Sequence, residues 1–178
     1  MEKIKYYIKH IFTFIFCSLL FSAYPDYNYT IIGDPYPAKL FVHSMSTEDP
    51  HLGILNEDLS IYWEVNHGNH GFDFRKNNHK LSFFDKTARK WIIADQYMQE
   101  IDTVQCTNGK LTDYHDIRLL DNGGYILQCY DSTWVDLGMP MPTLIQDILI
   151  IQEFNNEDSL ILNWNALDYL SIQDYPNI

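Results

Sequence analysis

The chain has 178 residues, a formal net charge of −12, and 13 Tyr, 10 Phe and 4 Trp against only 8 Gly and 7 Pro. That length and apolar content exclude a disordered chain and supply a real core, while flat, bulky side chains suit pleated sheets better than a helical bundle. The acidic balance argues against nucleic acid as a partner, because a phosphate backbone calls for a basic surface.

Residues 1–23 read as an export signal. Lys3, Lys5 and Lys9 precede an apolar run over 11–23 that is short for a membrane span. A signal helix is expected, either cleaved after Ala23 or kept as an anchor, since Phe21 is bulky where a small residue is preferred. Phe16 ahead of Cys17 fits a lipoprotein site poorly. Loss of the leader takes the formal charge to −14 and leaves Cys106 and Cys129. An exported location, periplasmic or extracellular, lets two such thiols pair. The hairpin register expected below puts Cys129 near Asp116 and away from Cys106, so a disulfide and two buried thiols both stay open.

The domain is expected over 24–178, starting with a Tyr-, Pro- and Asp-rich lead-in that holds a short strand near 29–32 and a sequon at Asn28-Tyr29-Thr30. Strands are then expected at 38–43, 59–65, 72–75, 80–84, 91–94, 100–104, 115–120, 125–130, 148–154 and 160–164. No amphipathic helix of about ten residues or more is evident. The fold class is therefore all-β.

These strands repeat. Asn56-Glu57-Asp58-Leu59-Ser60-Ile61-Tyr62-Trp63 recurs, with one residue inserted, as Asn156-Glu157-Asp158-Ser159-Leu160-Ile161-Leu162-Asn163-Trp164. The run beginning at Phe72 matches the run beginning at His115, 43 residues on. A period of about 40–50 residues in an all-strand chain marks propeller blades. The wider Trp spacing implies two intervening blades, or one enlarged by an insertion over 132–143. Closed propellers have about four to eight blades, whereas 24–178 supplies only about two to three, so a partial propeller is expected. Open blade edges would then favour association with more of the protein or with a second copy.

The most informative stretch is 110–128. Asp121-Asn122-Gly123-Gly124 supplies the positive φ angles of a hairpin turn, flanked by roughly alternating strands. At the head of the first strand lie Asp113, Tyr114, His115 and Asp116. Regular alternation puts His115 on the face of Asp113 and Ile117, with Asp116 on the other face beside Tyr114 and Arg118. His115 and Asp116 are thus not a catalytic dyad, and Arg118 is expected to pair with Asp116 or with a neighbouring blade.

The series Asp113-Tyr114-His115-Asp116-Ile117-Arg118-Leu119-Leu120-Asp121-Asn122-Gly123, then Ile151-Gln152-Glu153-Phe154, then Leu162-Asn163-Trp164-Asn165-Ala166-Leu167-Asp168-Tyr169, resembles the arylsulfotransferase family of exported bacterial enzymes. The resemblance covers about 60 residues well and 59–104 more loosely. It implies a six-bladed propeller whose central funnel moves a sulfuryl group from an aryl sulfate to a phenol through a histidine intermediate, with no nucleotide donor and no cofactor. It also implies that His115 is a substrate-binding funnel histidine. The family's nucleophile comes from a later blade and has no counterpart here, so this chain by itself is expected to be inactive. The alternative is a non-catalytic binding or assembly module of the envelope.

Other candidates have plainer readings. His67 and His70 share a metal-like spacing, but the glycines around them favour a loop, and no metal site is expected. Phe72 occupies the His115 position of the preceding repeat, leaving that blade without an equivalent donor. Trp63 and Trp164 read as packing anchors, and Asp168 as a turn residue. No phosphate loop or nucleotide fingerprint is present.

Overall fold

The computed structural model describes residues 32–33, 37–44, 51–66 and 71–171. The leader, the 29–32 strand up to residue 31 and the His67–His70 pair lie outside these residues. Among the described residues eleven strands form three antiparallel sheets. The first sheet joins β1 (Leu40–His43), β2 (His51–Leu55) and β3 (Ile61–Asn66) in that order. The second runs β4 (Gly71–Asn77), β5 (Lys80–Asp85), β6 (Lys90–Ala94), β7 (Glu100–Val104). The third runs β8 (Leu111–Leu119), β9 (Tyr125–Val135), β10 (Thr143–Phe154), β11 (Leu160–Asn165). Each sheet is a meander, every neighbour in space being a neighbour in sequence.

The second sheet lies between the other two, and its sequence shows why. Along β5 and β6 successive residues serve opposite cores. Phe83 and Ile92 join Leu52, Ile54 and Phe74 on one side, whereas Phe84, Trp91 and Ile93 join Ile117, Leu127 and Ile150 on the other. A strand buried on both faces reads as a continuous apolar run, as Leu81-Ser82-Phe83-Phe84 and Trp91-Ile92-Ile93-Ala94 do. β2 was not expected from the sequence, because polar and small residues interrupt such a run there. All five of its residues are buried, and His51 and Gly53 break any apolar alternation.

One turn closes the last hairpin of every sheet. In 56–60, 95–99 and 155–159 the first residue's N–H donates to the fifth residue's carbonyl, and the fourth residue's N–H donates back to the first. The fourth residue, Leu59, Met98 or Asp158, has positive φ, the left-handed step of a three-residue hairpin loop. Asp95 Oδ1 accepts from Tyr97 and Gln99 N–H, and Asn155 Oδ1 accepts from Glu157 and Ser159 N–H, so the side chain at the first position holds the loop. These bonds correct the expected alignment. Asn56 corresponds to Asn155 without an insertion, so Trp63, opposite Ile54, matches Leu162, opposite Glu153. Trp63 and Trp164 are therefore not equivalent. Two sheets follow the first, and the third is enlarged, because β9 and β10 extend as a two-stranded arm through the 132–143 insertion.

Asp121-Asn122-Gly123-Gly124 does turn β8 into β9, with Gly123 at φ 87° and Asn122 Oδ1 accepting the Gly124 N–H. A side chain at Gly124 has no room, since its Cβ would meet the Phe154 carbonyl at 2.3 Å.

Candidate functional site

β8 is not a regular strand. Thr112 sits opposite Cys129 and Ile117 opposite Leu127, so five steps on β8 answer two on β9. The surplus lies in Asp113, Tyr114, His115 and Asp116, which bulge from the sheet edge. Bulges of this kind re-aim side chains at functional positions.

Buried bonds hold the bulge. The Asp113 side chain is only 2% exposed and accepts the His115 backbone N–H at 2.9 Å. The His115 Nδ1 lies 2.9 Å from both Asp113 oxygens. The Asp113 carbonyl accepts Trp91 Nε1–H at 3.0 Å, which ties the bulge to the second sheet. Against a carboxylate acceptor Nδ1 acts as the donor, which leaves Nε2 as the ring nitrogen that Asp113 does not engage. His115 is 58% exposed at its side chain, and its ring packs on Tyr114 with centroids 4.0 Å apart. Tyr114 in turn contacts Phe72 and Phe84, at 5.4 and 6.2 Å. Phe72 thus supports the aromatic shelf from the preceding repeat, and His43 and Lys86 approach its ring at 6.1 and 5.2 Å. Beyond the shelf, burial and then the Asp113 charge push the Tyr130 hydroxyl pKa up.

A disulfide anchors the base of the bulge. Cys106 and Cys129 are bonded, with Cα atoms 6.1 Å apart, and the Cys106 N–H donates to Thr112 Oγ1 at 2.9 Å. Continued from Leu119 opposite Tyr125, a regular hairpin register would set Cys129 opposite His115; the three extra residues of the bulge bring it to Thr112, next to Cys106.

The second polar cluster joins two sheets. Arg75 on β4 donates from Nη2 to Asp116 Oδ1 at 2.5 Å and to the Ile117 carbonyl at 3.2 Å. Asn77 donates to the same carbonyl at 2.9 Å and accepts the Leu119 N–H at 3.2 Å. Together they occupy main-chain groups that β8, as a sheet edge, leaves unpaired. Asp116 therefore pairs with Arg75 and not with Arg118, which correction follows from the bulge turning Asp116 toward β4. Asp73, in a one-residue bulge of β4 with φ 49°, lies 3.1 Å from Arg75 Nη2, yet its Oδ2 makes no hydrogen bond among the described residues. Burial raises the Asp73 pKa, opposed by the Arg75 charge and reinforced by Asp116.

The remaining candidates fall elsewhere. Trp63 packs on Phe74, with centroids 5.8 Å apart, and Trp164 stacks on Tyr169. Asp168 lies in a 3₁₀ turn over Ala166–Asp168. Arg118 is exposed, and no ion pair engages it among the described residues. Among the described residues no group of three or more His, Cys, Asp and Glu side chains is placed to hold a metal. Arg75 was not singled out from the sequence, although its match to Arg118 at the 43-residue offset was a usable signal.

The fold and site define an all-β protein of stacked antiparallel meanders that presents a carboxylate-oriented histidine on an edge-strand bulge. No family model matches the chain, and no curated protein matches its sequence.

Proposed function

We propose that the three sheets are consecutive blades of a propeller similar to that of the arylsulfotransferases, and that His115 lines the site where an aryl sulfate and a phenol exchange a sulfuryl group. The observation that carries this reading is the exposed His115 ring, fixed through Nδ1 to buried Asp113 and laid against Tyr114. Such an arrangement offers one oriented ring nitrogen beside an aromatic surface. In the protonated ring Nε2–H donates to a sulfuryl oxygen; in the neutral ring Nε2 accepts the hydroxyl proton of a phenol. Charge that develops on sulfuryl oxygens as the S–O bond to the phenolate breaks is stabilised by fixed donors of this kind. His115 is assigned binding and orientation; the nucleophilic attack is not assigned to it.

Calorimetric titration with 4-methylumbelliferyl sulfate tests the assignment. Loss of a hydrogen bond to a charged group costs about 1.5–3 kcal/mol, so His115→Ala should weaken binding at least about tenfold. His79→Ala, in the β4–β5 turn at the other end of β4, should leave it unchanged. Equal affinities for wild type and His115→Ala, or no binding by either, would overturn the proposal. Turnover by this chain that disappears in His115→Ala would move the residue from binding into chemistry.

A further inference from the structure

The aromatic shelf beside His115 does not end at Tyr114. Phe72 on β4 continues it, its ring centroid 5.4 Å from that of Tyr114, and Phe84, paired with Phe72 across β4 and β5, lies 6.2 Å from Tyr114. Alternation along β5 puts Ser82, Phe84 and then Lys86 on one face, and Lys86 stands one residue beyond the strand end at Asp85. Its ammonium lies over the Phe72 ring, 5.2 Å from the centroid. His43, at the end of β1, meets the same ring from the first sheet at 6.1 Å. A continuous line of contacts therefore runs from His115 through Tyr114 and Phe72 to Lys86.

The chain carries a net charge of −12, yet the carboxylates of this end are engaged elsewhere. Asp113 holds His115, Asp73 and Asp116 flank Arg75, and Asp85 Oδ1 accepts the N–H groups of Thr87 and Ala88. Among the described residues no carboxylate pairs with Lys86, which is exposed and rests on the Phe72 face. A cation on a phenyl ring at an exposed site is held less firmly than one that donates to a carboxylate. Lys86 is thus poised to exchange the ring for an anion, while Tyr114, 45% exposed, leaves an aromatic surface open between it and His115.

We infer that Lys86 is a second anion contact of this site, and that the ligand class it favours is an aryl sulfate bearing a carboxylate on the ring. The sulfate lies at His115, the ring lies along Tyr114 and Phe72, and the carboxylate accepts from the Lys86 ammonium. An uncharged ring substituent offers Lys86 nothing in place of the Phe72 face, which makes the contact selective. Lys86 determines specificity and takes no part in sulfuryl transfer. The inference rests on the reading of His115 given above and specifies the end of the ligand away from the sulfate.

The test is calorimetric titration of phenyl sulfate and of 4-carboxyphenyl sulfate into wild type, Lys86→Met and Lys86→Arg. Methionine keeps an unbranched apolar stem, and an unchanged urea midpoint shows that each variant is folded. Wild type should bind the carboxylated ligand about fivefold more tightly, the size of a partly exposed ion pair. Lys86→Met should abolish that preference by weakening the carboxylated ligand alone, and Lys86→Arg should keep it. Equal affinities of wild type for the two ligands, or a loss of the same size for both in Lys86→Met, would overturn the inference. His115→Ala separates this result from the sulfuryl reading, since it should weaken both ligands alike. If it does so while Lys86→Met leaves both unchanged, only the Lys86 contact falls. A carboxylate preference that needs Lys86, with both affinities intact in His115→Ala, removes the sulfuryl reading and keeps the Lys86 contact. Binding of neither ligand overturns both.

Discussion

Removing the disulfide is the perturbation whose size the structure gives most directly. Cys106 and Cys129 are 23 residues apart, and the chain-entropy relation for a loop of that length gives about 3.4 kcal/mol at 25 °C. Urea unfolding followed by tryptophan fluorescence, on oxidised protein and on protein reduced while unfolded and then refolded, reads this difference. With an m value of about 2 kcal/mol per molar urea for a domain of this size, the midpoint should fall by about 1.7 M on reduction. The loss should also be local. β8 is held to β9 at its start only through Leu111 and Thr112, opposite Tyr130 and Cys129, whereas Ile117, Arg118 and Leu119 pair again beyond the bulge. Amide exchange should therefore rise at 111–116 and stay slow at 117–119. A midpoint shift below about 0.3 M, or uniform loss of protection along β8, would refute the view that the disulfide anchors the bulge that presents His115.

Asp113→Ala removes the acceptor for two His115 groups from a buried position and should cost about 1–3 kcal/mol in a thermal or urea melt, with the His115 ring losing its single orientation. Asn77→Ala leaves the Leu119 N–H without its side-chain acceptor and should cost about 1–2 kcal/mol; a neutral result would show that the link between β4 and β8 is dispensable. Burial raises the Asp73 pKa above its ordinary value of 3.8, so the native state holds that proton more tightly than the unfolded chain. The stability this contributes is complete below 3.8 and is lost as pH rises through the raised native value. Wild type should accordingly lose stability relative to Asp73→Asn as pH climbs from 3.8, in urea melts at a series of pH values; a constant difference would contradict the buried-carboxylate account.

The meanders were legible because their signals are local. Asp121-Asn122-Gly123-Gly124 specifies its turn through glycine and asparagine conformations, and β9, β10 and β11 announce themselves by β-branched and aromatic runs. β2 was hidden because a strand buried on both faces has no alternation, and His51 and Gly53 disguise it further. His115 and Asp113 were legible as a same-face pair, and they are bonded. What alternation could not convey was the bulge. Three surplus residues turn Asp116 toward Arg75 and bring Cys129 to Cys106. Each of those outcomes depends on a register set by contacts between sheets, such as Trp91 Nε1–H to the Asp113 carbonyl, that no window of sequence contains.

The encounter proposed for the His115 ring is with the sulfuryl group of an aryl sulfate. Long-range ¹H–¹⁵N spectra of the histidine rings, recorded as 4-methylumbelliferyl sulfate is added, observe that encounter at the atom concerned. A saturable shift of the His115 Nε2 resonance is expected, with Nδ1 still bonded to Asp113 and His79 unmoved. Saturable binding that leaves Nε2 of His115 unshifted, or that shifts all ring nitrogens alike, would contradict it.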